Sequence, residues 1–459
     1  MRREKVTAGL ITAIIIIIFC SCVMRIVVKN LFYEGLHIEN AFISFILKDD
    51  EDIYRQKHKL NEEENKKVDF SLQYPFDEED QSKAEEKKGN AIEDILNIYK
   101  AKTDSFKVKI QYYADNIIFK NDITSEYMHL KKVTGFDLVN GNSDTNQIFM
   151  KNGYLANVEP LVTNELIEED VENIIKYRDF LEERGIPFLY INAASKVNPY
   201  DKEIDNYSIE NSNENGDMLM KRLSEEGVDH IDFREEILSS DYDWYELFYK
   251  TDHHWTNKAG LWAASVIADK LNEDYGFNFS KKYYDIDNYR LTHYDKYWLG
   301  GSGRCVSLLD TGLEDFDMLI PDFETGYTVD IPTIDYHESG SYEDVLLRKE
   351  LFDNIADYET IDYYKNVDAY HCVKTIFPYI EIQNELETNN KGKSILILHD
   401  SFGWWLTPYL ARDVDKITKI SLSKFNGSMK TYIEKNKPDI VIMMYCERQI
   451  PWTEEYRFK

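Results

Sequence analysis

The stretch Ser394-Ile395-Leu396-Ile397-Leu398-His399-Asp400-Ser401-Phe402-Gly403 runs a short apolar segment straight into Asp-Ser and a glycine-containing turn. An unbroken apolar run of this length, bounded by turn residues, reads as a β-strand buried on both faces. Strands of that kind belong to parallel sheets with helices packed on either side. Ser401 then stands at the strand's carboxyl end, where sites form in open α/β sheets. A helix starting just beyond it would favour a developing oxyanion. An Asp or Ser that merely caps a helix after a strand has the same appearance. The segment therefore speaks more firmly about fold than about chemistry.

The same alternation recurs on both sides of it. Leu166, Val171, Ile174, Ile175, Tyr177 and Leu181 lie at helical spacing before Gly185, and Phe188 to Ile191 follow as a strand. Met218 to Leu223 and Val228 to Ile231 repeat the unit, and Thr256 is placed to cap a helix carrying Ala259, Trp262, Val266, Ile267 and Leu271. Beyond Ser401 come a helix at Trp405 to Leu410, a strand at Ile417 to Leu422, a helix at Met429 to Lys435 and a strand at Ile440 to Met444. Five short strands separated by helices predict an α/β fold with a doubly wound parallel sheet. Residues 275 to 390, rich in Tyr, Asp and Gly, are expected to form an insertion of loops and short strands that shapes a cleft.

A second segment, Tyr249-Lys250-Thr251-Asp252-His253-His254-Trp255-Thr256, precedes the capped helix. In extended chain, residues two apart share a side, so Asp252 and His254 fall together while His253 is expected to point away. A serine hydroxyl needs a positioned base, and the base needs a third group to fix its tautomer. Ser401, His254 and Asp252 supply those three roles. Local hydrogen bonding by a His pair would account for the segment without catalysis. Asp252, His253 and His254 also form a conceivable metal set, disfavoured because adjacent side chains diverge, and no metal is expected.

With Asp400-Ser401-Phe402 downstream, Asp252-His253-His254-Trp255-Thr256 resembles the DHHW proteins, SGNH hydrolase-like relatives of the alginate O-acetylation enzymes. The resemblance spans roughly residues 150 to 450. It implies a flavodoxin-like SGNH fold with Ser401 as nucleophile, His254 as general base and Asp252 as orienting acid. Two departures stand out: SGNH esterases separate their Asp and His by two residues, and the glycine they carry before Asp-Ser is His399 here. Asn192-Ala193-Ala194-Ser195-Lys196 resembles the Asn-Lys segment of the same family and follows the first strand, making Asn192 and Lys196 candidate substrate-binding residues. A solvated loop lysine fits Lys196 equally. Gly301, within Gly300-Gly301-Ser302-Gly303, is a candidate backbone donor to an oxyanion, although glycine runs are more often turns. No Gly-Lys-Ser/Thr phosphate loop is present, and no cofactor is expected.

Composition narrows the function class. The chain has 459 residues, 84 acidic against 54 basic, for a formal charge of -30, which repels nucleic-acid phosphates. Val6 to Met24 is uncharged and carries five successive isoleucines, about the length of a membrane span. Arg2, Arg3 and Lys5 precede it and an acidic chain follows, so the positive-inside rule leaves the N-terminus cytoplasmic. An uncleaved signal anchor is expected, with a signal peptide as competitor. The expected domains are the tip and anchor at 1–29, a charged juxtamembrane stalk or accessory region at 30–135, and a catalytic domain at 136–459. Cys305, Cys372 and Cys446 fall outside the anchor; a Cys305–Cys372 bridge and three free thiols both fit the sequence. The expected activity is O-acetyl transfer to, or removal from, a cell-envelope or exported polysaccharide. A membrane acyl-export protein is a candidate carrier of the acetyl donor. A catalytically inactive glycan-binding or assembly protein on the same fold is the alternative.

Overall fold

The computed structural model describes residues 68–69, 129–130, 132–133, 138–140, 146–201, 203–204, 210–306, 308–348, 369–451 and 456–458. The chain divides into two compact units, residues 1–60 with 71–130, and residues 61–70 with 131–459. The first contributes only His129 and Leu130 to the described residues. Val6 to Met24 lies outside them, and among the described helices none is long and apolar enough to cross a membrane.

In the second unit, α1 (Asn164–Glu182) leads to β1 (Phe188–Ala193), and α2 (Ser212–Glu225) to β2 (His230–Asp232), α3 (Phe233–Ser239) and α4 (Asn257–Asp274). Thr163 caps α1 by accepting from the Leu166 amide at 3.3 Å, and Gly185 turns the chain out of it at φ +68°. The insertion adds β3 (Tyr327–Ile331), β4 (Tyr336–Gly340) and β5 (Tyr379–Asn384). The alternation then resumes with β6 (Ser394–His399), α5 (Gly403–Leu410), β7 (Lys416–Ile420), α6 (Met429–Asn436) and β8 (Ile440–Cys446).

Eight strands form one sheet in the order β4-β3-β5-β7-β6-β8-β1-β2. The five expected strands pair in parallel from β7 through β2. The wholly parallel sheet is nevertheless corrected to a mixed one, because β5, β3 and β4 extend it antiparallel from β7. Their alternation is short: Tyr327, Val329 and Ile331 are buried while Thr328 and Asp330 are partly open, the signature of a strand with one wetter face. The flavodoxin-like order is also corrected. The last strand, β8, enters between β1 and β6, placing it between the strand that leads to Asn192 and the strand that leads to Ser401.

β1 and β8 are buried at every residue, as a sheet covered on both faces requires. One face carries Leu189, Ile191, Ile395, Ile397, Ile440 and Ile442 into a core with Ala259, Ala263, Ile267, Trp405 and Leu406 of α4 and α5. On the other, α1 packs on α2 and β1. Arg184, just past the end of α1, pairs with Glu434 of α6 at 2.7 Å. Outside the main sheet, Tyr289–Trp298 and Glu314–Pro321 form an antiparallel ladder. Leu138–Asn140, Asn146–Phe149 and Leu155–Val158 form a three-stranded sheet ahead of α1. Val68–Asp69, within the segment read as a stalk, pairs with Phe425–Asn426.

Candidate active site

Asp400 sets the turn after β6. Its Oδ1 accepts from the Phe402 amide at 2.9 Å and its Oδ2 from the Cys446 amide at 2.8 Å, tying the turn to the end of β8. The chain folds back tightly enough that a Cβ on Gly403 would meet the His399 Cβ at 3.0 Å, so a glycine suits the position. Ser401 is left partly exposed between Asp400 and the start of α5.

The Asp252–His254 segment is held by a loop that closes on itself. Tyr249 N donates to His254 O at 3.1 Å and Thr256 N to Leu247 O at 2.8 Å, while Thr256 Oγ1 accepts from Ala259 N at 3.1 Å and starts α4. Packing of α4 on α5 carries this loop to the Ser401 turn. His254 Nε2 lies 2.7 Å from Ser401 Oγ across 147 positions of sequence, and His254 Nδ1 lies 2.6 Å from Asp252 Oδ1. The same Oδ1 accepts from the His254 amide at 3.0 Å. A carboxylate only accepts, so Nδ1 carries the proton and Nε2 is left to accept from the Ser401 hydroxyl.

The charges agree with that tautomer. Burial works to raise the Asp252 carboxyl, but the His254 and His253 imidazoles and the Gly301 amide together hold it well below the usual carboxylate range. Burial lowers His254 despite the Asp252 carboxylate, which keeps the ring neutral. Tyr370 stacks on the imidazole with centroids 4.0 Å apart and planes 15° apart, and Trp404 stacks at 5.7 Å.

Five expectations change. His253 does not point away: its ring lies 3.8 Å from that of His254, and its Nδ1 is 3.8 Å from Asp252 Oδ1. The ligand atoms of Asp252, His253 and His254 thus lie within 4.8 Å of one another, although both His254 nitrogens are engaged by Asp252 and Ser401. The Gly301 amide donates to Asp252 Oδ2 at 2.7 Å, so it serves the acid and not an oxyanion. Lys196 is buried, and its ammonium donates to the carbonyls of Tyr249, Lys250 and Asp252 at 2.9, 3.3 and 2.5 Å, behind the site. Asn192 is buried in a network, donating to Asp232 Oδ1 at 3.1 Å and Glu447 Oε2 at 3.2 Å. Cys305, Cys372 and Cys446 are thiols in no disulfide, so the Cys305–Cys372 bridge is not formed.

Tyr370, Glu314 and Glu447 escaped the sequence reading. Glu314 accepts from the Lys250 amide at 2.7 Å and the Thr251 amide at 2.9 Å, and Glu447 from the Ser195 amide at 2.8 Å. Each sits in a segment with no motif, and only folding brings it to the loop it supports.

Residues 148–286 match the family described as SGNH hydrolase-like domain, acetyltransferase AlgX. That segment holds Asp252 and His254; Ser401 lies beyond it. Among curated proteins there is no match. Among solved structures, Bacillus cereus PatB1 is 19% identical, covering 69% of this chain and 100% of its own, with a TM-score of 0.55. A DHHW family protein from Eubacterium siraeum is 13% identical over 68% of this chain and 94% of its own, with a TM-score of 0.46. The O-acetyltransferase domain of Pseudomonas putida AlgJ is 13% identical over 67% and 93%, with a TM-score of 0.40. The chain shares the fold of PatB1, and over residues 148–286 it is similar to the SGNH hydrolase-like domain of the acetyltransferase AlgX family.

Proposed function

We propose that the protein is a serine-dependent O-acetyltransferase acting on hydroxyl groups of a cell-envelope or exported polysaccharide, with Ser401, His254 and Asp252 as its catalytic residues. The observation that carries this reading is the 2.7 Å contact between Ser401 Oγ and His254 Nε2, with His254 Nδ1 held by Asp252. Ser401 Oγ attacks the acetyl carbonyl carbon while its proton passes to His254 Nε2. The tetrahedral oxyanion collapses, the leaving group takes the proton from His254, and acetyl-Ser401 remains. A sugar hydroxyl then gives its proton to His254 and attacks the same carbonyl, forming the O-acetyl ester and freeing Ser401. Water in that second step yields esterase activity. The Ser401 amide, which donates to no protein acceptor among the described residues, is available to the oxyanion.

The glycan class is suggested by the match of residues 148–286 to the acetyltransferase AlgX family and by the resemblance of Asp252-His253-His254-Trp255-Thr256 to relatives of the alginate O-acetylation enzymes. PatB1 has also been solved with a sulfonyl adduct, which supports testing this chain with a sulfonyl probe. The apolar Val6 to Met24 segment is proposed to anchor the protein with its globular part outside the cell, where a membrane acyl-export partner would deliver the acetyl group. An idle glycan-binding role would have suited a serine out of reach of its histidine; the contact above weighs against it.

The test is a chromogenic acetyl-ester assay of the soluble ectodomain with and without oligosaccharide acceptors. Ester cleavage that shifts toward acetylated sugar when acceptor is added supports transfer. Wild-type protein that neither cleaves the ester nor labels with a sulfonyl fluoride overturns the proposal.

A further inference from the structure

The loop bearing Asp252 is gripped from two sides by opposite charges. On its carbonyl side, the three N–H bonds of the Lys196 ammonium match the carbonyls of Tyr249, Lys250 and Asp252. An ammonium has three donors and no acceptor, whereas a neutral amine would turn a lone pair toward one of those carbonyls. On its amide side, the Glu314 carboxylate takes the Lys250 amide on Oε2, and the Thr251 amide and hydroxyl on Oε1. The Thr251 hydroxyl oxygen in turn accepts from Gly300 N at 2.8 Å, and Gly301 N reaches Asp252 Oδ2. Lys196 is 3% exposed, so neither solvent nor a bulky glycan reaches its charge.

We propose that Lys196 and Glu314 form a charge clamp on the backbone of residues 249–252, acting as positioning residues that aim the Asp252 carboxylate at His254. The clamp acts across the peptide dipoles, with the cation where oxygens converge and the anion where amides converge. It rests on the reading of Ser401 as nucleophile and adds a regulatory consequence. Lys196 must stay protonated for three carbonyls to converge on it, so rising pH releases the loop.

Burial pushes Lys196 down to about 7, against the opposing Glu314 and Asp252 charges and with Arg448 acting in the same direction as burial. His253 and the Tyr154 ring, 5.8 Å from Nζ, complete its surroundings. Glu314 is the largest charge favouring the ammonium, so removing it lowers Lys196 further.

Two measurements test the clamp. First, kcat and KM for an acetyl ester are followed from about pH 5 to about pH 9 in wild type, Glu314→Gln and Glu314→Asp. The wild-type kcat should fall above neutrality. Glu314→Gln should move that fall about one pH unit lower, costing about tenfold in kcat on the basic side, with KM within about twofold. Glu314→Asp, which keeps the charge, should leave the fall near its wild-type position. A basic limb unmoved in Glu314→Gln overturns the clamp, whereas an inactive wild type overturns the nucleophile reading instead. Second, 13Cε-lysine NMR of the wild-type ectodomain, assigned with Lys196→Arg, requires neither activity nor a folded Glu314 variant. One lysine titrating near neutrality supports the clamp; all lysines titrating in the ordinary range near about 10.4 overturn it.

Discussion

Gly300 and Asp252 approach so closely that a Cβ on Gly300 would lie 2.5 Å from the Asp252 Cβ and 2.6 Å from the Thr251 carbonyl oxygen. Both neighbours belong to the loop that carries the acid, and one is backbone, so neither can swing aside. Glycine at 300 is what lets the Gly300 and Gly301 amides reach Thr251 Oγ1 and Asp252 Oδ2.

Gly300→Ala should therefore destabilise the domain by about 1–3 kcal/mol and lower kcat more than it changes KM. Gly301→Ala should be milder, because its nearest new neighbour is the Asp252 Oδ2 atom at 3.2 Å. Thermal melts and ester kinetics on the two variants check the ranking. An equal melting temperature for Gly300→Ala and wild type would show that the loop yields.

Ser401→Ala removes one hydroxyl from a partly exposed turn whose geometry is set by Asp400. Stability should stay within about 0.5 kcal/mol of wild type. Acetyl transfer should fall at least about 10³-fold. Mass spectrometry after sulfonyl fluoride treatment should find the adduct on Ser401 in wild type and none in the variant; retained activity would remove Ser401 from the mechanism.

How much of this was readable in the sequence depends on the range of the interactions involved. The five parallel strands and the helices between them announce themselves because both faces of each strand are buried, which forces runs such as Ile395 to Leu398. Asp252, His254 and Ser401 were legible as residue types in two compact motifs. The antiparallel strands β3 and β5 were not, since Tyr327, Val329, Ile331 and Ile380, Ile382 alternate over only five or six residues within a Tyr- and Asp-rich stretch. Lys196 and Gly301 were singled out by position, yet Lys196 bonds backbone carbonyls of residues 249–252 and Gly301 acts through its own backbone amide, and no side-chain pattern encodes the direction of a backbone group. Glu314 was invisible for the same reason.

With no disulfide among them, Cys305, Cys372 and Cys446 should give three titratable thiols in a denatured, unreduced form of the protein lacking residues 1–29. In the native protein Cys305 should react first, because Cys372 and Cys446 are buried. A thiol-reagent count short by two would restore the bridge.

The proposed topology predicts that protease added to intact cells degrades the protein beyond Lys29. Ectodomain that survives in intact cells and is digested only after lysis would reverse the orientation.

Asp170 offers a test of the second face of the sheet that is independent of catalysis. It lies on α1, fully buried, with no hydrogen-bond partner for either carboxyl oxygen among the described residues. Burial, helped by Glu169, pushes it up to about 8. In the unfolded chain an aspartate ionises near about 3.9, so between that pH and about 8 the folded state holds a proton that the unfolded state has lost. Stability contributed by this group is therefore complete below the unfolded value, declines as pH rises, and is exhausted once pH passes the folded value. The decline is bounded by a few kcal/mol. Asp170→Asn cannot titrate and should lack it. The melting temperature of Asp170→Asn minus that of wild type should consequently climb from about pH 4 to about pH 8 and then level off. A difference that stays constant across that range would mean that Asp170 is ionised in the fold and that an unseen partner holds its charge.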